Sequence, residues 1–198
     1  MQPWFIATEA FTPRGGEAWT KVATTTLRRA VSIRMTIALS CAMAVVVRPF
    51  GPADAEACGA IVGATPLWQR AGLGAERAAA ILTTAAEHGD TVIVLEVDGT
   101  LDGFAWIDPR GTFGRSSYLR MIAIAPSRRS AGHGTRLMQA FEGIAATQGT
   151  DAFLLVSDFN LEAQRLYRRL GYVEVGRVPD YVMPGVVELL FWKRVRPA

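Results

Sequence analysis

The chain has 198 residues, half of them hydrophobic, and a formal charge of +3; that length suits one domain plus an appendage, with enough apolar content for a sizeable core. Cys41 and Cys58 are the two cysteines, too few for a disulfide framework or a zinc site, which fits a reducing compartment. The whole net charge falls in residues 1–44, while residues 45–198 balance 16 basic against 16 acidic side chains, so the body lacks the electrostatic footprint of a nucleic-acid binder.

Residues 1–44 are rich in Thr, Arg and Ala. The stretch TTTLRRAVSIRMTIALSCAMA has a basic start, an apolar run and a small-residue end, a faint likeness to a targeting peptide. Arg34 interrupts the apolar run, and TIALSCAMAVVV is too short to span a bilayer. The expectation is a disordered or mis-started extension, with Met35 and Met43 as alternative starts. No membrane partner is expected, and the body is read as cytoplasmic.

From Val45 the pattern becomes regular. AVVVRPF reads as a β-branched strand. GPADAEACGAIVGA reads as a helix with Pro52 in its first turn, and GAERAAAILTTAAEHGD as a second helix stopping near Gly89. TVIVLEVDGTLDGFAWID is two apolar runs about Asp98-Gly99, a hairpin signal. SSYLRMIAIAP is a strand whose apolar second half suits a position covered on both faces. RRSAGHGTRL follows, and then a helix carrying Leu137, Met138, Phe141, Ile144 and Ala145 on one face. DAFLLVS is a buried strand, and NLEAQRLYRRLG is a helix between an Asn160 cap and a Gly171 stop. YVEVGRV and VVELLFWKR, joined by PDYVMPG, are the last strands.

The strand–loop–helix passage around Gly132 and Gly134 carries the chemistry. A helix start aims free N–H groups and a partial positive charge at whatever lies above it, and glycine lets a ligand approach the backbone. The arrangement suits a phosphate; a tight turn needing positive φ is the plain alternative. Three motifs compete for it. A P-loop requires Lys-Ser or Lys-Thr after its last glycine, and Thr135-Arg136 stands there. A dinucleotide fingerprint would need glycine at Leu137. The third, P-x-x-R-x-x-G-x-G, is present as Pro126, Arg129, Gly132 and Gly134.

That third pattern resembles the coenzyme A loop of the GNAT N-acetyltransferase superfamily. Downstream, Asn160, Ala163, Tyr167, Gly171 and Tyr172 are similar to the second signature of the same family, and VDGTLDGFAWI is similar to its central hairpin. The resemblance covers roughly residues 45–195 and implies a GNAT domain over residues 45–198. That is an α/β fold with a mixed, mostly antiparallel sheet and helices on both faces. It implies acetyl-CoA as co-substrate, with no metal. The main chain of Ile122, Ala123 and Ile124 would hold the pantetheine arm. The N–H groups of Arg129, Ser130, Ala131, Gly132, His133, Gly134 and Thr135 would hold the pyrophosphate. Ser130 departs from the family, which often has glycine there. His133 is expected to point outward into solvent. Asn160 either binds the pantetheine arm, caps its helix, or does both.

By spacing, Tyr167 is either a core tyrosine or a proton donor; the resemblance implies a general acid that protonates the departing thiolate. A phenol with an ordinary pKa stays protonated at neutral pH and can donate. The base is not assigned: SSYLRM has no carboxylate, and Asp108, Asp180 and Glu188 remain open. The resemblance implies direct transfer of acetyl to a primary amine of a small molecule or peptide in a ternary complex, and it allows a homodimer. Trp68, Tyr181 and Met183 are expected to line an apolar acceptor side. The alternatives are a non-catalytic acyl-CoA-binding module of the same fold and a nucleotide-binding protein.

Overall fold

The computed structural model describes residues 44–149 and 151–195. The expectations for residues 1–43 lie outside the described residues, as does Cys41.

The elements run β1 (Val45–Pro49), α1 (Ala55–Gly63), α2 (Pro66–Arg70), α3 (Ala75–Glu87), β2 (Thr91–Val97), β3 (Thr100–Thr112), β4 (Ser116–Ile124), α4 (His133–Gln148), β5 (Asp151–Ser157), α5 (Leu161–Arg169), β6 (Val173–Pro179) and β7 (Val187–Arg194). Short 3-10 turns at Pro52–Asp54 and Pro126–Arg128 lead out of β1 and β4. Two features differ from the sequence reading. The five-residue helix α2 is too short to show a hydrophobic period, and β3 runs past Asp108 to Thr112.

The sheet order is β1-β2-β3-β4-β5-β7-β6, and only β4 and β5 pair in parallel. Asp98 and Gly99 both have positive φ, 49° and 81°, which the two-residue hairpin turn between β2 and β3 requires. Each face of the sheet has its own apolar layer. On one, Leu137, Met138 and Phe141 of α4 and Tyr167 of α5 pack on Leu95, Ile107, Leu154 and Phe191. On the other, Cys58 and Val62 of α1 and Leu82 of α3 pack on Val94, Phe104 and Met121. The expected mostly antiparallel sheet with helices on both faces is therefore what the chain forms. Burial pushes the Cys58 thiol up to about 12, so it has no nucleophilic role at neutral pH. No helix among the described residues is long and apolar enough to cross a membrane.

Two irregularities in the middle of the sheet create the cleft. The first lies in β4: Trp106 faces Met121 but Ile107 faces Leu119, so Arg120 is an extra residue that bulges the strand and switches its side-chain parity. Leu119 and Met121 consequently enter opposite apolar layers. The second is the short parallel seam, which pairs only Ser117–Leu119 with Ala152–Leu154. Beyond it β4 continues to Ile124 and β5 to Ser157 without pairing, and a wedge opens between them.

Helix α5 follows β5 at the open end of this wedge. Asn160 caps it, its Oδ1 accepting the Ala163 N–H at 3.3 Å, and Gly171 (φ 87°) ends it. Replacing Asn160 with alanine should cost about 1 kcal/mol, read as a fall of roughly 2–4 °C in Tm.

Candidate active site

The loop between β4 and α4 is built around unspent backbone donors. The chain turns through Arg129 (φ −66°, ψ 160°), Ser130 (φ 66°) and Gly132 (φ 82°), and enters α4 at His133. Within the described residues, the N–H groups of Arg129 through Thr135 meet no acceptor; the first amide bonded back is that of Arg136, to the Gly132 carbonyl at 3.1 Å. Exposed N–H groups grouped at the start of a 16-residue helix form a concave anion site. A Cβ placed on Gly132 would meet nothing within 4 Å, so the space above the amides is open.

The basic pair divides its work. The Arg128 Nε lies 3.3 Å from Oδ2 of Asp102, whose side chain is 3% exposed, and this contact ties the loop to β3. Arg129 is exposed and has no ion pair among the described residues. Ser130 holds a left-handed conformation that glycine adopts more easily. Ser130→Gly should therefore raise stability by about 1 kcal/mol; a fall in melting temperature would show that the Ser130 side chain supports the loop.

His133 corrects an expectation. Its side chain is 4% exposed and its Nδ1 is sealed without a hydrogen-bond partner. The cause is helical geometry: His133 is the first residue of α4, one turn before Leu137, and so shares the inward face of Leu137, Phe141 and Ala145. Its side chain is therefore no part of the loop surface.

Ile122, Ala123 and Ile124 lie on the unpaired stretch of β4, facing β3 on one edge and the wedge on the other. Tyr167 of α5 lies in the apolar layer against which Ile122 and Ile124 pack, 5% exposed, with the Tyr172 ring edge-on at 6.1 Å and the Phe191 ring tilted at 6.2 Å. Burial raises its pKa, and the nearby Tyr118 phenol adds to the effect, so Tyr167 is protonated at physiological pH.

Tyr118 and Ser157 were not singled out from the sequence. Tyr118 sits at the vertex of the wedge, one residue before the last β4–β5 pair. Burial raises its pKa, Tyr181 and Glu188 add to that from the β6–β7 side, and the Arg120 guanidinium opposes it. Glu188 is 3% exposed and accepts a 2.8 Å hydrogen bond from Ser157 at the open end of β5. The other two candidate carboxylates are engaged elsewhere. Asp108 binds Arg120 at 2.7 Å, and Asp180 closes the β6–β7 loop through the Gly185 N–H. Of the expected acceptor-side residues, Tyr181 stands by Tyr118, Met183 is half-buried in the same loop, and Trp68 packs against the α1–α3 layer. A short strand signal such as SSYLRM does not reveal the bulge that decides which of its side chains reach the wedge.

This arrangement of strands and helices is that of a class of acetyltransferases. The sequence model of the Acetyltransferase (GNAT) family matches residues 67–172, and the chain belongs to that family. Solved structures agree in fold. Ribosomal-protein-alanine N-acetyltransferase from Brucella melitensis superposes with a TM-score of 0.63 at 23% identity, over 76% of this chain and 99% of that one. Ard1 from Thermoplasma volcanium gives 0.62 at 25% identity, over 76% and 97%. An aminoglycoside 6'-N-acetyltransferase complexed with coenzyme A gives 0.64 at 16% identity, over 77% and 98%. No curated protein sequence matches the chain significantly.

Proposed function

We propose that the chain transfers the acetyl group of acetyl-CoA to a primary amine of a small molecule or peptide, by direct attack in a ternary complex. The observation that carries this reading is the run of unbonded N–H groups from Arg129 to Thr135 at the mouth of a wedge that β4 and β5 leave open. Those amides and the Arg129 guanidinium suit a pyrophosphate. The free edge of β4 at Ile122–Ile124 can pair with the amide groups of a pantetheine arm, as a neighbouring strand would. The arm would then run down the wedge and bring its thioester to the bulge at Arg120, where a main-chain N–H released from the ladder can polarise the carbonyl. The Asn160 Oδ1 is spent on its helix cap, and its amide NH2 is left to donate to the pantetheine arm.

Tyr167 would act as the general acid for the departing thiolate. Its hydroxyl has no hydrogen-bond partner among the described residues, so it is free to donate, and burial keeps it protonated. Cys58 lies in the opposite apolar layer, which fits direct transfer rather than an acyl-enzyme. The non-catalytic alternative, an acyl-CoA-binding module, has no observation in its favour that Tyr167 does not offset.

The test is calorimetric titration of the full chain with acetyl-CoA, followed by thiol release measured against a panel of amino acids, polyamines, aminoglycosides and peptide N-termini. Micromolar binding with turnover of one class supports the reading. Binding without turnover on any amine would leave the module. Absence of binding by the folded chain would withdraw both.

A further inference from the structure

Two acidic side chains are buried in the described residues, Asp102 and Glu188. Asp102 has a cation, Arg128. Glu188 has none: Ser157 donates to Oε1, and no donor or cation meets Oε2 among the described residues. A carboxylate withdrawn from water without a counter-charge costs the fold free energy, and a structural role would be served better by an apolar side chain. Its position gives it a use. Glu188 of β7 is paired across the ladder with Ser157, the last residue of β5, which places it beside the open end of the wedge, one strand beyond the β5 limb. The groups around it are Ser157 from β5, Asp158 from the β5–α5 turn, and Tyr118 from β4, with Tyr181 of the β6–β7 loop and the Arg120 guanidinium beyond Tyr118; no cation acts on Glu188 itself.

We infer that Glu188 is the base that deprotonates the acceptor ammonium, with Ser157 holding its carboxylate at the open end of the wedge. This rests on the acetyltransferase reading above. The step balances as follows. The acceptor ammonium gives one proton to Glu188, and the freed nitrogen lone pair forms the C–N bond at the acetyl carbonyl. The C–S bond breaks as the sulfur takes a proton from Tyr167. The second nitrogen proton restores the Tyr167 phenol, and Glu188 returns its proton to water. Ammonium and thioester become amide, thiol and one solvent proton.

Burial and the neighbouring Asp158 raise the Glu188 pKa, against the Ser157 hydrogen bond, which lowers it. A carboxyl raised toward neutrality is a stronger base than an ordinary one. Because the folded-state pKa lies above the unfolded one, the ionised group destabilises the fold at high pH, and the penalty vanishes below the unfolded value near 4.5.

The experiment measures kcat/KM against pH for the full chain and for Glu188→Gln and Ser157→Ala, with acetyl-CoA affinity and melting temperature in parallel. Glu188→Gln should lose about 100-fold or more in kcat/KM, keep its acetyl-CoA affinity, and lose the acidic limb of the profile. It should melt above the wild type at pH 8 and level with it below pH 4.5. Ser157→Ala should move the acidic limb to higher pH. Wild-type kcat/KM in Glu188→Gln, or an unmoved limb in Ser157→Ala, overturns the assignment and leaves the acetyltransferase reading standing. A wild type that turns over no amine removes both.

Discussion

Replacing Tyr167 with phenylalanine should lower kcat by about 10²–10⁴-fold, the range for removing a positioned general acid, while acetyl-CoA affinity stays close to that of the wild type. The split follows from where the hydroxyl stands. The ring carries the packing, edge-on to Tyr172 and tilted against Phe191, and phenylalanine preserves both contacts. The hydroxyl makes no hydrogen bond among the described residues, so its removal breaks no structural link. Its expected loss is confined to the step in which sulfur leaves. Rapid-mix thiol release together with calorimetric acetyl-CoA binding checks this. Equal loss of affinity and turnover would place Tyr167 in binding, and unchanged turnover across pH would make it a core residue.

The second large effect is expected at Gly132. Gly132→Val should weaken acetyl-CoA binding at least about 100-fold, or about 2.7 kcal/mol. Two causes add. At φ 82° a β-branched residue is strained, so the turn that exposes the amides shifts. The new side chain would also occupy the open space above them. Gly72 supplies the control: it too has positive φ, 71°, and open surroundings, but lies after α2, away from the loop. Gly72→Val should carry a similar stability cost and leave acetyl-CoA affinity alone. If both variants bind equally well, the glycines of the loop shape a turn and nothing more.

The sequence yields most of the architecture because its signals there are local. Asp98-Gly99 between two apolar runs leaves little choice but a hairpin, and the spacing of Leu137, Phe141 and Ala145 can only be one helical face. His133 shows how near such reasoning comes. The same spacing, carried one turn back, places it inside, but the glycines on either side of it invited a loop reading. What escaped depends on contacts remote in sequence. Glu188 and Ser157 are 31 residues apart, and neither residue by itself marks a buried pair. The role of Tyr118 depends on the bulge at Arg120 and on where pairing with β5 stops, and both are set by the partners of β4 rather than by its own residues.

The three-position seam between β4 and β5 has a mechanical side. It is the only ladder in the described sheet joining β1–β4 to β5–β7, so the two halves are held by little backbone bonding beyond α4, which packs on both. A co-substrate lying along the wedge would serve as the missing rungs of that ladder and act as a keystone between the half-sheets. Since a ligand that binds the folded chain and not the unfolded one stabilises it by RT ln(1 + [L]/Kd), an acyl donor bound there would make the cohesion of the two half-sheets follow its supply.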